Sequence, residues 1–114
     1  MITKDKLMAV ADARPPVEIE VPQWGDTALL RHPTFKEWHA IMKETTTSDG
    51  TPSADLIART IAVCLCDENG KRLLTDFEAQ KLLDKDTEAV LYLYKKCQAE
   101  VLSAEGKVEE AEKN

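Results

Sequence analysis

The 114-residue chain has few aromatic residues, few cysteines and no long apolar run, and each shortage excludes a class of protein. Because only 5% of the residues are aromatic, the core must consist mainly of Leu, Ile, Val and Ala, which suits packed helices better than a β-sandwich. No apolar stretch approaches the roughly 20 residues that a membrane-spanning helix needs. Three cysteines, an odd number, argue against a secreted disulfide-bonded domain. We therefore expect a cytosolic site of action and no membrane partner.

The charge balance is acidic, with a formal net charge of -6 and an isoelectric point near 4.9. Nucleic-acid binding needs Lys and Arg clustered on one face, whereas the longest basic run here is a dipeptide. The sequence therefore predicts no nucleic-acid partner. A chain of this length forms one core, and we assign it to residues 1–102, with residues 103–114 as an acidic disordered tail.

Residues 17–31 are predicted to form a β-hairpin. Over residues 17–21 apolar side chains alternate with glutamates, which is the period-two pattern of a strand with one buried face. Residues 22–26 supply a turn, because Pro fixes φ and Gly allows positive φ. Since two strands alone are marginal in water, this hairpin must pack on helices or pair with strands of another chain.

Helical patterns follow the hairpin. Capping boxes start two of the helices, Thr34 with Glu37 and Thr75 with Glu78. The predicted helices cover about residues 35–44, 52–66, 76–84 and 87–104. The predicted fold class is thus α+β, mainly α, with an N-terminal β-hairpin packed on a bundle of about four helices.

Several boundaries and faces complete this prediction. A short helix over residues 4–13 is capped by Thr3, residues 45–50 form a loop, and either Thr51 or Ser53 caps the helix at 52–66. The side chains predicted to point inward include Phe35, Trp38, Ile41 and Met42 in the first of the four helices, and Phe77 with either Leu82 or Leu83 in the third.

No group of residues has the spacing of a catalytic or metal site. Cys64, Cys66 and Cys97 lack the paired spacing of a structural zinc site. Residues 67–78 have the length of a calcium loop, but a Lys and an Arg stand where oxygen ligands belong. The cysteines near helix C-terminal ends are poor nucleophiles, because the helix dipole there disfavours a thiolate. We therefore predict no enzyme activity, no cofactor and no metal.

What remains is surface for protein partners. Trp24 lies at the hairpin turn, Leu29 on the second strand, and Tyr92 on the side of the last helix opposite Tyr94. Large amphipathic rings that face water mark contact sites. The alternative for Trp24 is that its ring folds back and fixes the hairpin to a helix. Trp24, Leu29 and Tyr92 are the candidate partner-binding residues.

The order of these elements resembles that of the small tail assembly chaperones of long-tailed bacteriophages and prophages. The most specific pieces are VPQWG at residues 21–25 and LCDENGKRL at residues 65–73. Asp26 departs from the pattern, because family members often have a second Gly there. The matching stretches within residues 1–102 are MITKDKLMAVADAR, VEIEVPQWG, residues 31–37 and IARTIAVCLCDENGKRLLTDFEAQKL.

The resemblance implies a chaperone that binds and solubilises the tape-measure protein and helps recruit the major tail (tube) protein. It also implies self-association, for which the hairpin edge is a natural element. Such a protein acts in the host bacterial cytoplasm and is absent from the mature virion. The alternative function is a structural virion component, such as a tail-tube or head-tail connector subunit.

Overall fold

The computed structural model describes residues 1–10, 14–43 and 48–102. The predicted tail at 103–114, and part of the predicted loop at 45–50, lie outside these residues. The elements in chain order are α1 (Lys4–Ala9), β1 (Val17–Val21), a 3₁₀ turn (Pro22–Trp24), β2 (Asp26–Leu30), α2 (Phe35–Met42), α3 (Ala54–Cys64), β3 (Leu65–Cys66), a 3₁₀ helix (Glu78–Asp84), α4 (Thr87–Cys97) and a π-helical turn (Gln98–Leu102).

The predicted hairpin is present. β1 and β2 pair antiparallel, with Val17 opposite Leu30 and Val21 opposite Asp26. The turn between them is 3₁₀, and it ends at Gly25 in the left-handed conformation at φ 65°. Glycine adopts that conformation without the steric cost that a Cβ brings.

A third strand corrects the prediction of one continuous helix over 52–66. The helix ends at Cys64, and Leu65–Cys66 pair antiparallel with the end of β2, so that the sheet order is β1-β2-β3. The backbone of Leu65 is already extended, at φ -66° and ψ 128°. The hairpin therefore obtains a third strand from its own chain, which relieves the instability of an isolated two-stranded ribbon.

The core lies between the inner face of this sheet and the helices α3 and α4. The cluster of buried side chains joins Leu30 of β2 to Ile61 of α3 and Leu93 of α4. The N-cap of α3 is Ser53, whose Oγ accepts a hydrogen bond from the Leu56 N–H at 3.1 Å. Since seven of the eleven α3 residues are buried, α3 is the central helix of the domain.

Two other helix predictions need correction. The segment predicted as a helix at 76–84 is a 3₁₀ helix, in which Leu82 is buried while Phe77, predicted to point inward, is 85% exposed. The helix predicted over 87–104 is α-helical over Thr87–Cys97 and π-helical over Gln98–Leu102, and its predicted last two residues lie outside the described residues.

The α+β, mainly α class is confirmed, whereas packing as a bundle of four helices is not. The main helix contacts join α3 to α4 and to the 3₁₀ helix, and α2 touches only one side of α3. Among the described residues, no helix has both the length and the apolar character to cross a membrane.

Candidate functional site

Helix α2 begins with the capping box predicted from the sequence. The Thr34 Oγ1 accepts from the Glu37 N–H at 3.2 Å, and the Glu37 Oε1 accepts from the Thr34 N–H at 2.9 Å. These two bonds satisfy backbone donors that the first helical turn leaves without partners. They fix where α2 starts and therefore which side chains point outward.

Arg31 ties the start of α2 to the end of α3. Its guanidinium donates to both carboxylate oxygens of Glu37, at 3.0 and 2.8 Å, and to the Val63 carbonyl at 2.7 Å. Burial is the largest influence on the Glu37 carboxyl and opposes its ionisation, but the hydrogen bonds from Arg31 and Thr34 together outweigh it and lower the Glu37 pKa. The bidentate pair therefore holds α2 in a fixed orientation.

The apolar side chains of α2 mostly face away from the core, contrary to prediction. Only Ile41 is buried, in a small cluster with Leu56 and Val63 of α3. Phe35 is 76% exposed, and Trp38 and Met42 are also exposed.

The two aromatic rings of this face lie together. The ring centroids of Phe35 and Trp38 are 5.8 Å apart at a tilt of 31°, and the His39 ring stacks on Phe35 with centroids 6.1 Å apart. Helical periodicity identified this stripe, but it does not distinguish a stripe that faces the core from one that faces a partner. We call Phe35, Trp38 and Met42 the α2 face.

Trp24, a residue predicted to bind a partner, lies at the end of the hairpin turn and is 44% exposed. The turn itself contacts α4. Nearly half of the Trp24 surface is therefore accessible, and Trp24 stays a predicted partner-binding residue.

Leu29 lies on the outer face of the sheet. It is half-buried and pairs with Glu18 on one side and Cys66 on the other. It lines a shallow concavity of about 520 Å³ together with Thr27 and Leu73.

Tyr92 does not project freely into water as predicted. Its ring is half-buried, and its hydroxyl donates to the Glu20 carbonyl of β1 at 2.6 Å. The Lys96 ammonium lies 5.7 Å from the ring centroid. Because β1 is an edge strand, this bond ties the sheet edge to α4 and occupies one of the backbone acceptors that strand pairing would use.

The three predicted residues therefore do not form one site. Trp24 and Tyr92 belong to elements that touch each other, the hairpin turn and α4, whereas Leu29 lies on the outer face of the sheet. The α2 face, which contains the largest exposed aromatic pair, was assigned to the core. The sequence held no signal that separates the two cases, because the same helical spacing fits a stripe that packs on the core and a stripe that faces solvent.

The titratable groups offer little for chemistry. All three cysteines are buried and free. Burial raises the pKa of the Cys66 thiol. The pKa of the Cys97 thiol is raised mainly by its hydrogen bond with the Cys64 thiol and, to a smaller extent, by burial. Within residues 1–10, 14–43 and 48–102, no group of three or more His, Cys, Asp or Glu side chains is placed to hold a metal ion. The structural feature that remains is the exposed apolar surface.

Comparison with known proteins gives one result on the fold. No protein-family model matches the chain, and no curated protein matches its sequence. Among solved structures, the chain is similar to the tail assembly chaperone of bacteriophage HK97, with a TM-score of 0.62 and 17% sequence identity, covering 88% of this chain and 94% of that one. The predicted resemblance to a tail assembly chaperone is thus confirmed at the level of the fold.

Proposed function

We propose that this chain is a phage tail assembly chaperone that binds and solubilises a tape-measure protein and helps recruit tail-tube subunits, without catalysing a reaction. It acts in the host bacterial cytoplasm and leaves before the tail is complete. The shared fold with a tail assembly chaperone supports the class of function. The observation that carries the proposal is the α2 face.

An exposed set of large apolar side chains on a small soluble domain is typical of a protein interaction site. Aromatic residues and Met are enriched at such sites, and the flexible Met side chain adapts to different partner surfaces. The α2 face has all of these properties, and Arg31 holds it outward. It is therefore suited to a long partner with many similar apolar segments.

The charges beside the α2 face restrict the partner further. Lys36 and Lys43 are exposed on the same helix, while the Glu37 carboxylate is occupied by Arg31. Opposite charges across an interface increase specificity and the association rate. The fitting partner is an amphipathic helix whose apolar stripe is flanked by carboxylates.

Co-expression with the tape-measure protein tests this function. The chain offers a matched pair of variants, because Phe35 and Phe77 are both strongly exposed, at 76% and 85%, and each follows a capping Thr within two residues. We expect Phe35→Ala to lower the soluble tape-measure fraction, since truncation of an aromatic anchor costs about 2 kcal/mol of binding. Phe77→Ala should leave that fraction unchanged.

Two outcomes would contradict the proposal. One is a tape-measure protein that is equally soluble without this chain. The other is an equal loss of soluble tape-measure protein with Phe35→Ala and with Phe77→Ala, which would show that α2 is not the specific binding surface. Circular dichroism on both variants checks that each remains folded.

A further inference from the structure

The outer face of the sheet carries a shallow concavity with an apolar floor. Glu18, Leu29 and Cys66 form one row across the three strands, with Glu18 opposite Leu29 and Leu29 opposite Cys66. Leu73 lies beside β3, because its N–H donates to the Leu65 carbonyl at 3.1 Å. Leu29 and Leu73 supply accessible apolar side chains to this concavity, whose volume is about 520 Å³. We call it the outer concavity.

Two carboxylates at the border of the outer concavity have no partner in the described part of the chain. Glu18 lines it from β1, and Glu68 lines it from the turn after β3. Neither side chain forms a hydrogen bond or an ion pair with another described residue. Asp67 differs, because its Oδ1 accepts from the Asn69 N–H at 2.8 Å and from the Lys71 N–H at 3.0 Å. These bonds fix the turn that carries Glu68.

No basic side chain balances these carboxylates within the outer concavity. None of the nine described residues that line it is Lys or Arg. Arg72 lies next to Cys66 in the sheet, but its guanidinium donates to the Asp76 carboxylate at 2.8 Å and to the Ala62 carbonyl at 3.2 Å. The outer concavity is therefore apolar at its floor and negative at its border, without a lining cation from the described part of the chain.

A basic side chain has the chemistry that matches this surface. The aliphatic stems of Lys and Arg pack on apolar surface while their charged heads stay at a polar border. Arg fits best, because its planar guanidinium forms paired hydrogen bonds with carboxylates. A carboxylate or phosphate group would be repelled by Glu18 and Glu68. Small-molecule pockets enclose most of their ligand, whereas this concavity is shallow, which favours a side chain that another protein presents.

We propose that the outer concavity binds a basic segment of a partner protein, in which an Arg is next to an apolar residue. The stem of this Arg lies on Leu29, and its guanidinium reaches Glu18 or Glu68. The apolar neighbour contacts Leu73. This charge preference is opposite to that of the α2 face, where exposed lysines favour a partner with carboxylates. The inference goes beyond the proposed function and does not rest on it, because the two surfaces share no residue.

NMR titration of the ¹⁵N-labelled full chain with a synthetic peptide tests the contact. The probe is a short peptide with two Leu-Arg pairs separated by Ser, and the control peptide has Glu in place of each Arg. We expect the Arg peptide to cause saturable shift changes at the amides of Glu18, Leu29 and Glu68, and the Glu peptide to cause none there. Equal changes with both peptides, or no saturable change with the Arg peptide, would overturn the proposal.

Variants that remove one charge locate the site. Glu18→Gln and Glu68→Gln should each weaken binding of the Arg peptide by about threefold, which is within the range for exposed ion pairs. Glu20→Gln is the matched control, because Glu20 is exposed on the same strand as Glu18 but does not line the outer concavity. An equal loss with Glu20→Gln would show general attraction to an acidic protein and would refute the assigned site.

A second pair of variants tests the apolar floor. Leu73→Ala should weaken binding by about threefold or more, because the apolar neighbour of the Arg loses its contact. Leu83→Ala should leave binding unchanged, since Leu83 lies on the 3₁₀ helix and is exposed to a similar extent, 42% against 55% for Leu73. Wild-type affinity in Leu73→Ala, with circular dichroism showing a folded chain, would refute the proposal. Phe35→Ala should bind the Arg peptide normally, so the results separate this surface from the α2 face.

Discussion

At the residue scale, Arg31 is the side chain on which the geometry of α2 depends most directly. It joins the end of β2 to Glu37 of α2 and to the Val63 carbonyl of α3. Both partners of the ion pair are largely buried, with 19% and 24% of the side-chain surface exposed. Removal of one partner leaves the other charge unsatisfied in a partly desolvated place.

Glu37→Gln tests this network. The substitution keeps the size of the side chain but removes its charge, and we expect the free energy of unfolding to fall by about 1–3 kcal/mol, as for a lost hydrogen bond to a charged group. Urea denaturation measures the change. Glu18→Gln is the control, because Glu18 is exposed on the outer face of the sheet and exposed substitutions usually change stability by about 0.5 kcal/mol or less.

The same network predicts a pH dependence. Because the folded-state pKa of Glu37 is lowered from its ordinary value of about 4.3, its contribution is fully present above that value and is lost as the pH falls through the folded pKa. The difference in stability between wild type and Glu37→Gln should therefore shrink below about pH 4. A difference that stays constant down to pH 3 would contradict the assignment of this stability to the ionised Glu37 carboxylate. Asp76 also has a lowered pKa, chiefly from the Arg72 hydrogen bond, and its contribution cancels in this comparison.

At the scale of elements, the abrupt change from α3 to β3 depends on side chains from outside the helix. The last carbonyls of a helix have no partners within it. Here the Arg72 Nε donates to the Ala62 carbonyl at 3.2 Å, the Arg31 guanidinium to Val63, and the Arg31 backbone N–H to Cys64 at 2.8 Å. The positive charges of Arg31 and Arg72 also interact favourably with the negative end of the α3 helix dipole. The helix can therefore end at Cys64 and the chain continue directly as a strand.

A second contact between elements joins α4 to the edge of the sheet through Tyr92. We expect Tyr92→Phe to lower the free energy of unfolding by about 1 kcal/mol, the usual value for one hydrogen bond, and to leave tape-measure solubility unchanged. Urea denaturation and the co-expression assay measure the two effects. A variant of normal stability that loses tape-measure binding would instead support Tyr92 as a partner-binding residue. Tyr94→Phe is the comparison variant, because its hydroxyl accepts a hydrogen bond from the Gln98 Nε2 at 3.2 Å within the same helical segment and makes no bond to the sheet edge among those described.

At the scale of the whole molecule, the core and the exposed apolar side chains of the domain lie in different regions. The core lies between the sheet, α3 and α4, and the α2 face projects from one side of α3. No residue of α1 is buried. The described part of the fold therefore leaves large apolar side chains exposed on α1 and on α2, outside the core.

The proposed function predicts where the protein is found during tail assembly. This function includes release before the tail is complete, so we expect quantitative mass spectrometry to find the chain in infected cells and not in purified particles. The major tail protein of the same particles is the internal control. Recovery of this chain in stoichiometric amounts from infectious particles would support the alternative, a structural component of the virion.

The sequence by itself determined the features that depend on short-range interactions. The two capping boxes and the cap of α1 at Thr3 each join residues three positions apart. The hairpin at 17–31 was predicted from alternation and turn chemistry, which are also local patterns. The same patterns predicted the fold class, mainly α with an N-terminal hairpin.

The tertiary structure alone decided which surfaces are covered. Leu65–Cys66 became a strand because the edge of β2 was available at that place. Phe35 and Phe77 are exposed because none of the described elements packs over them. Periodicity shows that a helix has an apolar stripe, but burial depends on what the remainder of the chain places against that stripe. The interaction surface of the proposed function, the α2 face, is a stripe that the described part of the fold leaves uncovered.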